Sequence, residues 1–181
     1  MPDLFVEHLE QLPRVDTERL MAAPTVLLSM ISLADNWAST REMLALTESF
    51  GTFYTELSPD LMDFYKKHRE LYDDGVDHAR ERMRDDLQVY STAVEYSEET
   101  GELRARPSVE QELNEMRRVI DELPADYPTR YRDMLKRAML RTAEASGSFL
   151  GFGKAINDDE RLMLKLIADR LDIPLDESEF A

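Results

Sequence analysis

Apolar residues in this chain recur every three or four positions, and no segment alternates with a sustained period of two. That pattern excludes a sheet-built core and dictates helices, each turning one stripe inward. Val109, Leu113, Met116, Ile120 and Leu123 step in this way, as do Tyr131, Leu135, Ala138, Met139 and Thr142. Met163, Leu166, Ile167 and Arg170 follow the same step. From Pro59 to about Tyr96 the stretch is longer, and Tyr72, Val76, Ala79, Met83, Leu87, Tyr90 and Val94 form a coiled-coil-like seam that Gly75 can break or kink.

Helix boundaries are written in the sequence as well. Ser39-Thr40-Arg41-Glu42 and Ser108-Val109-Glu110-Gln111 are capping boxes, in which the Ser hydroxyl and the returning carboxyl or amide group satisfy free N–H groups. Asn157-Asp158-Asp159-Glu160 does the same with Asn as cap and acids in the first turn. Ser58-Pro59 pairs a cap with Pro at the first helical position, Pro128 opens a further helix, and Gly101 and Gly147 stand where helices end. The segment Thr100 to Pro107 reads as an inter-helix loop. The expectation is an all-α protein of about seven or eight helices with two related α-hairpins. With 181 residues, 43% of them apolar, it should be one domain, residues 1–181, with an acidic tail from 174 to 181 that frays.

Charge narrows the partners. With 22 basic and 38 acidic residues the formal net charge is −16, which repels polyanions and attracts cations. The arginines are interleaved with acids, as in Arg80-Glu81-Arg82, so no nucleic-acid role is expected. A partner protein or a divalent cation fits better, and homo-oligomerisation through the seam is an alternative. Absence of cysteine removes disulfides, thiolate zinc sites and a Cys nucleophile. The first ten residues have neither the basic start nor the apolar run of a signal peptide, and the apolar stretch from Ala22 to Ala34 is too short and too polar to span a bilayer. A cytoplasmic location follows as the default, with peripheral membrane association left open.

Two segments share one plan, an apolar helix, a turn and a capped helix: Leu28 to Phe50 and Met139 to Leu171. In the first, Ala34-Asp35-Asn36-Trp37-Ala38-Ser39-Thr40-Arg41-Glu42 resembles the Ala-Asp-Gly turn pattern of the TerB-like family, with Asn in place of Gly. In the second, Ala143 to Glu160 resembles the longer variant of that turn and continues into Leu162 to Ile173, with Ser146 where the first motif has Asp. TerB-like proteins are helical and linked to tellurite resistance and stress response in bacteria. The resemblance implies an all-α fold and acidic residues that engage a metal ion, without implying a reaction.

The residues themselves offer carboxylates for such an ion. Asp35 and Glu42 flank one turn, and Glu144, Asp158, Asp159 and Glu160 flank the other. An all-oxygen set suits Ca²⁺ or Mg²⁺. The competing reading is that Glu42 and Glu160 complete capping boxes while Asp158 and Asp159 favour a helix N-terminus. Gly147 to Lys154 misses the phosphate-loop spacing, and Ala155 replaces its Ser/Thr. Phe149, Leu150 and Phe152 there either fold onto the core or anchor a protein partner. His78 with Asp74 reads as an exposed ion pair on one helix face, and Trp37 as a cap on the core. The leading expectation is a non-enzymatic, metal-linked binding or scaffolding module. A metal-free helical interaction or oligomerisation module is the alternative, and a Mg²⁺-dependent hydrolase a third.

Overall fold

A computed structural model describes residues 3–34, 54–90, 94–97, 102–147 and 158–176. Asp3 caps the first helix, α1 (Leu4–Gln11), accepting the Phe5 N–H at 2.9 Å. After Pro13 comes α2 (Arg14–Ala34), then a helical turn at 54–57, α3 (Leu61–Lys67) and α4 (Arg69–Tyr90). A β-hairpin follows, β1 (Val94–Ser97) and β2 (Glu102–Ala105), and then α5 (Pro107–Asp121), α6 (Tyr127–Gly147) and α7 (Asp158–Leu171). The all-α expectation holds, with the hairpin as an addition to it.

Helix α2 is central. It packs against α4, α5, α6 and α7, so between Leu20 and Ile31 nearly all of its side chains are buried. Pro24 lies inside it and cannot donate the backbone hydrogen bond that the Leu20 carbonyl would accept. The Tyr131 hydroxyl of α6 donates to that carbonyl instead, at 2.5 Å, and the Tyr54 hydroxyl donates to the next one, Met21, at 3.1 Å. Both phenols are fully enclosed, and burial pushes their pKa values up, so they remain neutral donors. One core cluster takes residues from every one of these helices, and the periodic positions Val109, Leu113, Met116, Ile120, Tyr131, Leu135, Met139, Met163 and Ile167 all belong to it.

Several sequence expectations need correction. The stretch expected as one long helix is interrupted at His68 (φ −122, ψ 39), not at Gly75. Gly75 is where α4 touches α2: a Cβ there would stand 2.3 Å from the Glu18 carbonyl oxygen and 2.9 Å from Ala22 Cβ. The absence of a side chain permits a close helix–helix approach, and α4 runs through it unbroken. Its end at Tyr90 is also earlier than expected. Val94 pairs with Ala105, Glu95 with Arg104, Tyr96 with Leu103 and Ser97 with Glu102, so that β1 stands where the end of the long helix was expected and β2 where a loop was.

Two caps also differ. Helix α5 starts at Pro107, with Arg106 at the cap position making no side-chain cap bond, so Ser108 already lies within the first turn. Ser58 caps nothing. Its hydroxyl donates to Asp3 Oδ2 at 2.5 Å, joining the 54–57 turn to the start of α1. Gly147 ends α6 and Asp158 begins α7 as expected, whereas the box at Ser39 to Glu42 and the Asn157 cap lie outside the described residues. After α7 the chain reverses at Asp172 (φ 57), the Ile173 N–H reaches the Ala168 carbonyl at 2.8 Å, and Arg132 Nε donates to the Leu171 carbonyl at 2.7 Å.

Candidate functional site

Of the carboxylates expected to hold a cation, Glu160 alone has a described side chain. It sits in the first turn of α7, is 1% exposed, and is engaged by another group of the fold. Glu144 lies on α6, and Asp158 and Asp159 open α7, with side chains outside the described residues. Asp35, Glu42, Trp37, Phe149, Leu150 and Phe152 are outside them altogether. Among the described residues no three His, Asp or Glu side chains converge on one point. The outward side of α7 bears a shallow hollow of about 430 Å³ lined by Leu162, Lys165, Leu166, Asp169 and Arg170, where Leu162 is 38% exposed.

The densest polar site is one the sequence did not announce. At the N-terminal end of α2 four consecutive polar residues, Asp16, Thr17, Glu18 and Arg19, are all buried. Helices α4 and α5 close over them and supply partners. Glu112 of α5, 2% exposed, is the hub. Arg19 Nε donates to its Oε1 at 3.1 Å, and Arg82 of α4 donates through Nε to Oε2 at 2.7 Å and through Nη2 to Oε1 at 2.9 Å. Arg118 Nη2 reaches Asp16 Oδ1 at 2.7 Å, and Arg14 Nε reaches Glu18 Oε1 at 2.7 Å. The Thr17 hydroxyl donates to the Leu9 carbonyl at 3.1 Å, tying α1 to the same end.

Electrostatics fix the protonation states here. Burial raises the Glu112 pKa, but the hydrogen bonds from Arg82 and Arg19 outweigh it and hold the carboxyl below its ordinary value. The hydrogen bond to Asp16, with others to Glu115 and Glu122, raises the Arg118 pKa against an opposing effect of burial. A carboxylate that accepts three guanidinium hydrogen bonds and stays ionised is a poor proton acceptor. The band is therefore an ionic joint that orients α2, α4 and α5, not a catalytic arrangement.

The histidine and seam readings change as well. His78 Nδ1 lies 3.0 Å from Glu18 Oε2, and Asp74 accepts from Arg14 Nη2 at 2.6 Å, so both reach across to α2 instead of pairing with each other. Ala79 and Met83 are buried, and Tyr72 and Val76 pack against the same core. The Tyr72 hydroxyl meets Thr25 Oγ1 at 2.7 Å. That part of the expected oligomerisation seam is consumed within the chain, while the side chains of Leu87, Tyr90 and Val94 lie outside the described residues. A buried run of polar residues on a helix apolar all round was the available signal for the joint. Between Asp16 and Leu28 such a helix has almost no solvent side, so its polar residues there must find partners inside.

No helix among the described residues is long and apolar enough to cross a membrane. No family model matches the chain, and neither curated proteins nor solved structures give a significant match. The TerB-like resemblance rests on the residues of the two turn segments.

Proposed function

We propose that this chain is a non-enzymatic TerB-like binding and scaffolding module in which a divalent cation organises the two α-hairpins. Asp35 and Glu42 would ligate from one turn and Glu144, Asp158, Asp159 and Glu160 from the other, with the 147–154 segment and its Phe149, Leu150 and Phe152 meeting a protein partner. A stress-response role is the one that accompanies the resemblance. The observation that supports the reading is Glu160, an acid at the motif position that is 1% exposed. A carboxylate is withdrawn from water only where pairing or coordination compensates it. Carboxylates that ligate metals are themselves held by neighbouring groups, and Glu160 is so engaged. The all-oxygen donor set suits Ca²⁺ or Mg²⁺, which would supply charge neutralisation between the hairpins.

The test is thermal unfolding of chelator-stripped protein titrated with Ca²⁺, Mg²⁺, Mn²⁺ and Zn²⁺. An ion that binds only the native state stabilises it by about 2.7 kcal/mol at 100-fold over its dissociation constant. The expected outcome is a stabilisation by Ca²⁺ or Mg²⁺ that disappears in Asp35→Asn/Glu42→Gln and is reduced in Glu160→Gln. If no ion shifts the midpoint, the carboxylates revert to helix capping. The metal-free docking module then stands, favoured by the exposed Leu162 on the outward side of α7.

A further inference from the structure

Helix α1 sits in the fold as a plug sits in a socket. Phe5 and Leu9, one turn apart, are 1% and 2% exposed. The Phe5 ring centroid lies 4.9 Å from that of Tyr127 and 6.3 Å from that of Tyr131. The Asp3 carboxylate fastens the first turn, accepting from the Phe5 N–H at 2.9 Å, the Ser58 hydroxyl at 2.5 Å and the Tyr127 hydroxyl at 3.1 Å. Beyond these anchors the hold is slight. Eight residues are too few to stay helical alone, and the backbone entropy of ordering them works against two fully buried side chains. His8 Nε2 is buried with no hydrogen-bond partner among the described residues, which weakens the seat further. Release of α1 therefore requires far less free energy than unfolding of the core.

Leu12 and Pro13 alone join α1 to α2. Leu12 is extended (φ −66, ψ 152), as a following proline requires. Pro13 has no N–H for the Leu9 carbonyl, so the two helices cannot run on as one regular helix, and the Thr17 hydroxyl takes that carbonyl at 3.1 Å. The corner is tight: two residues give α1 little slack in its own seat. Short hinges under such constraint favour exchange of the segment between copies. Just past the hinge stands Val15, 47% exposed, one of three exposed large apolar side chains among the described residues.

We infer that this seat is an interface with a second copy of the chain, formed by reciprocal exchange: α1 of each copy leaves its own seat and fills that of the other. The seat itself identifies its occupant, because it is built around Asp3, Phe5 and Leu9, and a second copy presents the same three side chains on the same helix. Every contact of the closed form is kept, and each is made twice. Only two residues span each crossing, so the beginnings of the two α2 helices come together, and Val15 of one copy meets Val15 of the other. That apolar contact is what exchange adds. Against it stand the mutual repulsion of two chains at net charge −16 and the advantage of a tethered α1, whose effective concentration at its own seat is on the order of 1 mM. Neither the hairpin turns nor the outward side of α7 takes part.

The test is light scattering on the full chain across a concentration series reaching about 1 mM. The dimer fraction should rise with protein concentration and with salt, which screens the repulsion. Val15→Ser should weaken association about tenfold, the scale of burying one Val side chain. Insertion of three glycines between Leu12 and Pro13 gives α1 the slack to stay in its own seat and should leave a monomer. The chain has no cysteine, so thiols placed at positions 3 and 58 report on α1 alone. In Asp3→Cys/Ser58→Cys, oxidation of the dilute monomer should pin α1 to its own seat and abolish dimerisation, and reduction should restore it. Single variants Asp3→Cys and Ser58→Cys, mixed at about 1 mM and oxidised, should give a disulfide between position 3 of one chain and position 58 of the other, read by mass spectrometry of the linked peptides. A monomer throughout the series overturns the inference. So does a dimer that persists in the pinned or the glycine-extended variant, one indifferent to Val15→Ser, or one that yields no linkage from position 3 to position 58 between chains.

Discussion

Pro24 sets a hydrogen-bond problem in the middle of the core, and Tyr131 solves it. The Leu20 carbonyl loses its helical donor, and the Tyr131 hydroxyl replaces it from another helix. Tyr131→Phe removes that oxygen and little else. It leaves a buried acceptor unpaired, which costs about 1–3 kcal/mol. The urea midpoint should fall with the slope unchanged. Pro24→Ala would restore an N–H to the same carbonyl, so the double variant Pro24→Ala/Tyr131→Phe should lose less than the sum of the singles. A double-mutant cycle isolates that coupling from any effect of Pro24 on the unfolded chain. Strict additivity would mean that the freed carbonyl is not what Tyr131 serves.

Helix contacts depend on small residues as much as on large ones. By helix propensity alone, Gly75→Ala should stabilise α4 by roughly 1 kcal/mol. The contact with α2 reverses the sign, because the new Cβ would meet the Glu18 carbonyl oxygen at 2.3 Å, and backbone does not yield as a side chain does. A net loss of about 1–3 kcal/mol is expected, measured by chemical denaturation, and a gain would show that the two helices separate at little cost. The same pair of helices marks what the sequence made legible. Val109 to Leu123 and Met163 to Ile167 were readable because a stripe of fixed period reports a buried face whatever lies opposite. Gly75 was misread because a glycine in a helix has two explanations, a bend or a close neighbour, and the neighbour is remote in sequence. The hairpin escaped because strands of four residues are too short to show sustained alternation, although Val94, Tyr96, Leu103 and Ala105 pair among themselves. The carboxylates of the two turns were legible as residues. The ionic joint was not, since the partners of Arg19 and Asp16 lie 93 and 102 positions away.

At the scale of the whole molecule, two electrostatic effects oppose each other as pH falls. Protonation of exposed acids relieves the self-repulsion of a chain at net charge −16. Protonation of the ionic joint removes stability. Screening decides between them: at about 0.15 M salt, charges more than roughly 8 Å apart in solvent interact weakly, while Glu112 and Arg19 are buried and Arg82, partly exposed, bonds Glu112 directly. Because the folded pKa of Glu112 lies below its ordinary 4.5, the unfolded chain binds the proton first. Its contribution is complete above about 4.5 and is lost as pH drops through the folded value. Asp3, held below its ordinary 3.8 by the Ser58, Phe5 and Tyr127 hydrogen bonds despite burial, adds loss in the same direction. Glu112→Gln separates the two effects, since exposed acids are common to both proteins. Near pH 7 the variant leaves Arg19 and Arg82 without their carboxylate and should be less stable by about 3 kcal/mol. At lower pH the native Glu112 becomes protonated and nearly isosteric with Gln, so the difference should shrink towards zero. Denaturation at pH 7, 5, 4 and 3 tests this, and a difference that stays constant across the series would mean that Glu112 contributes shape rather than charge to the joint.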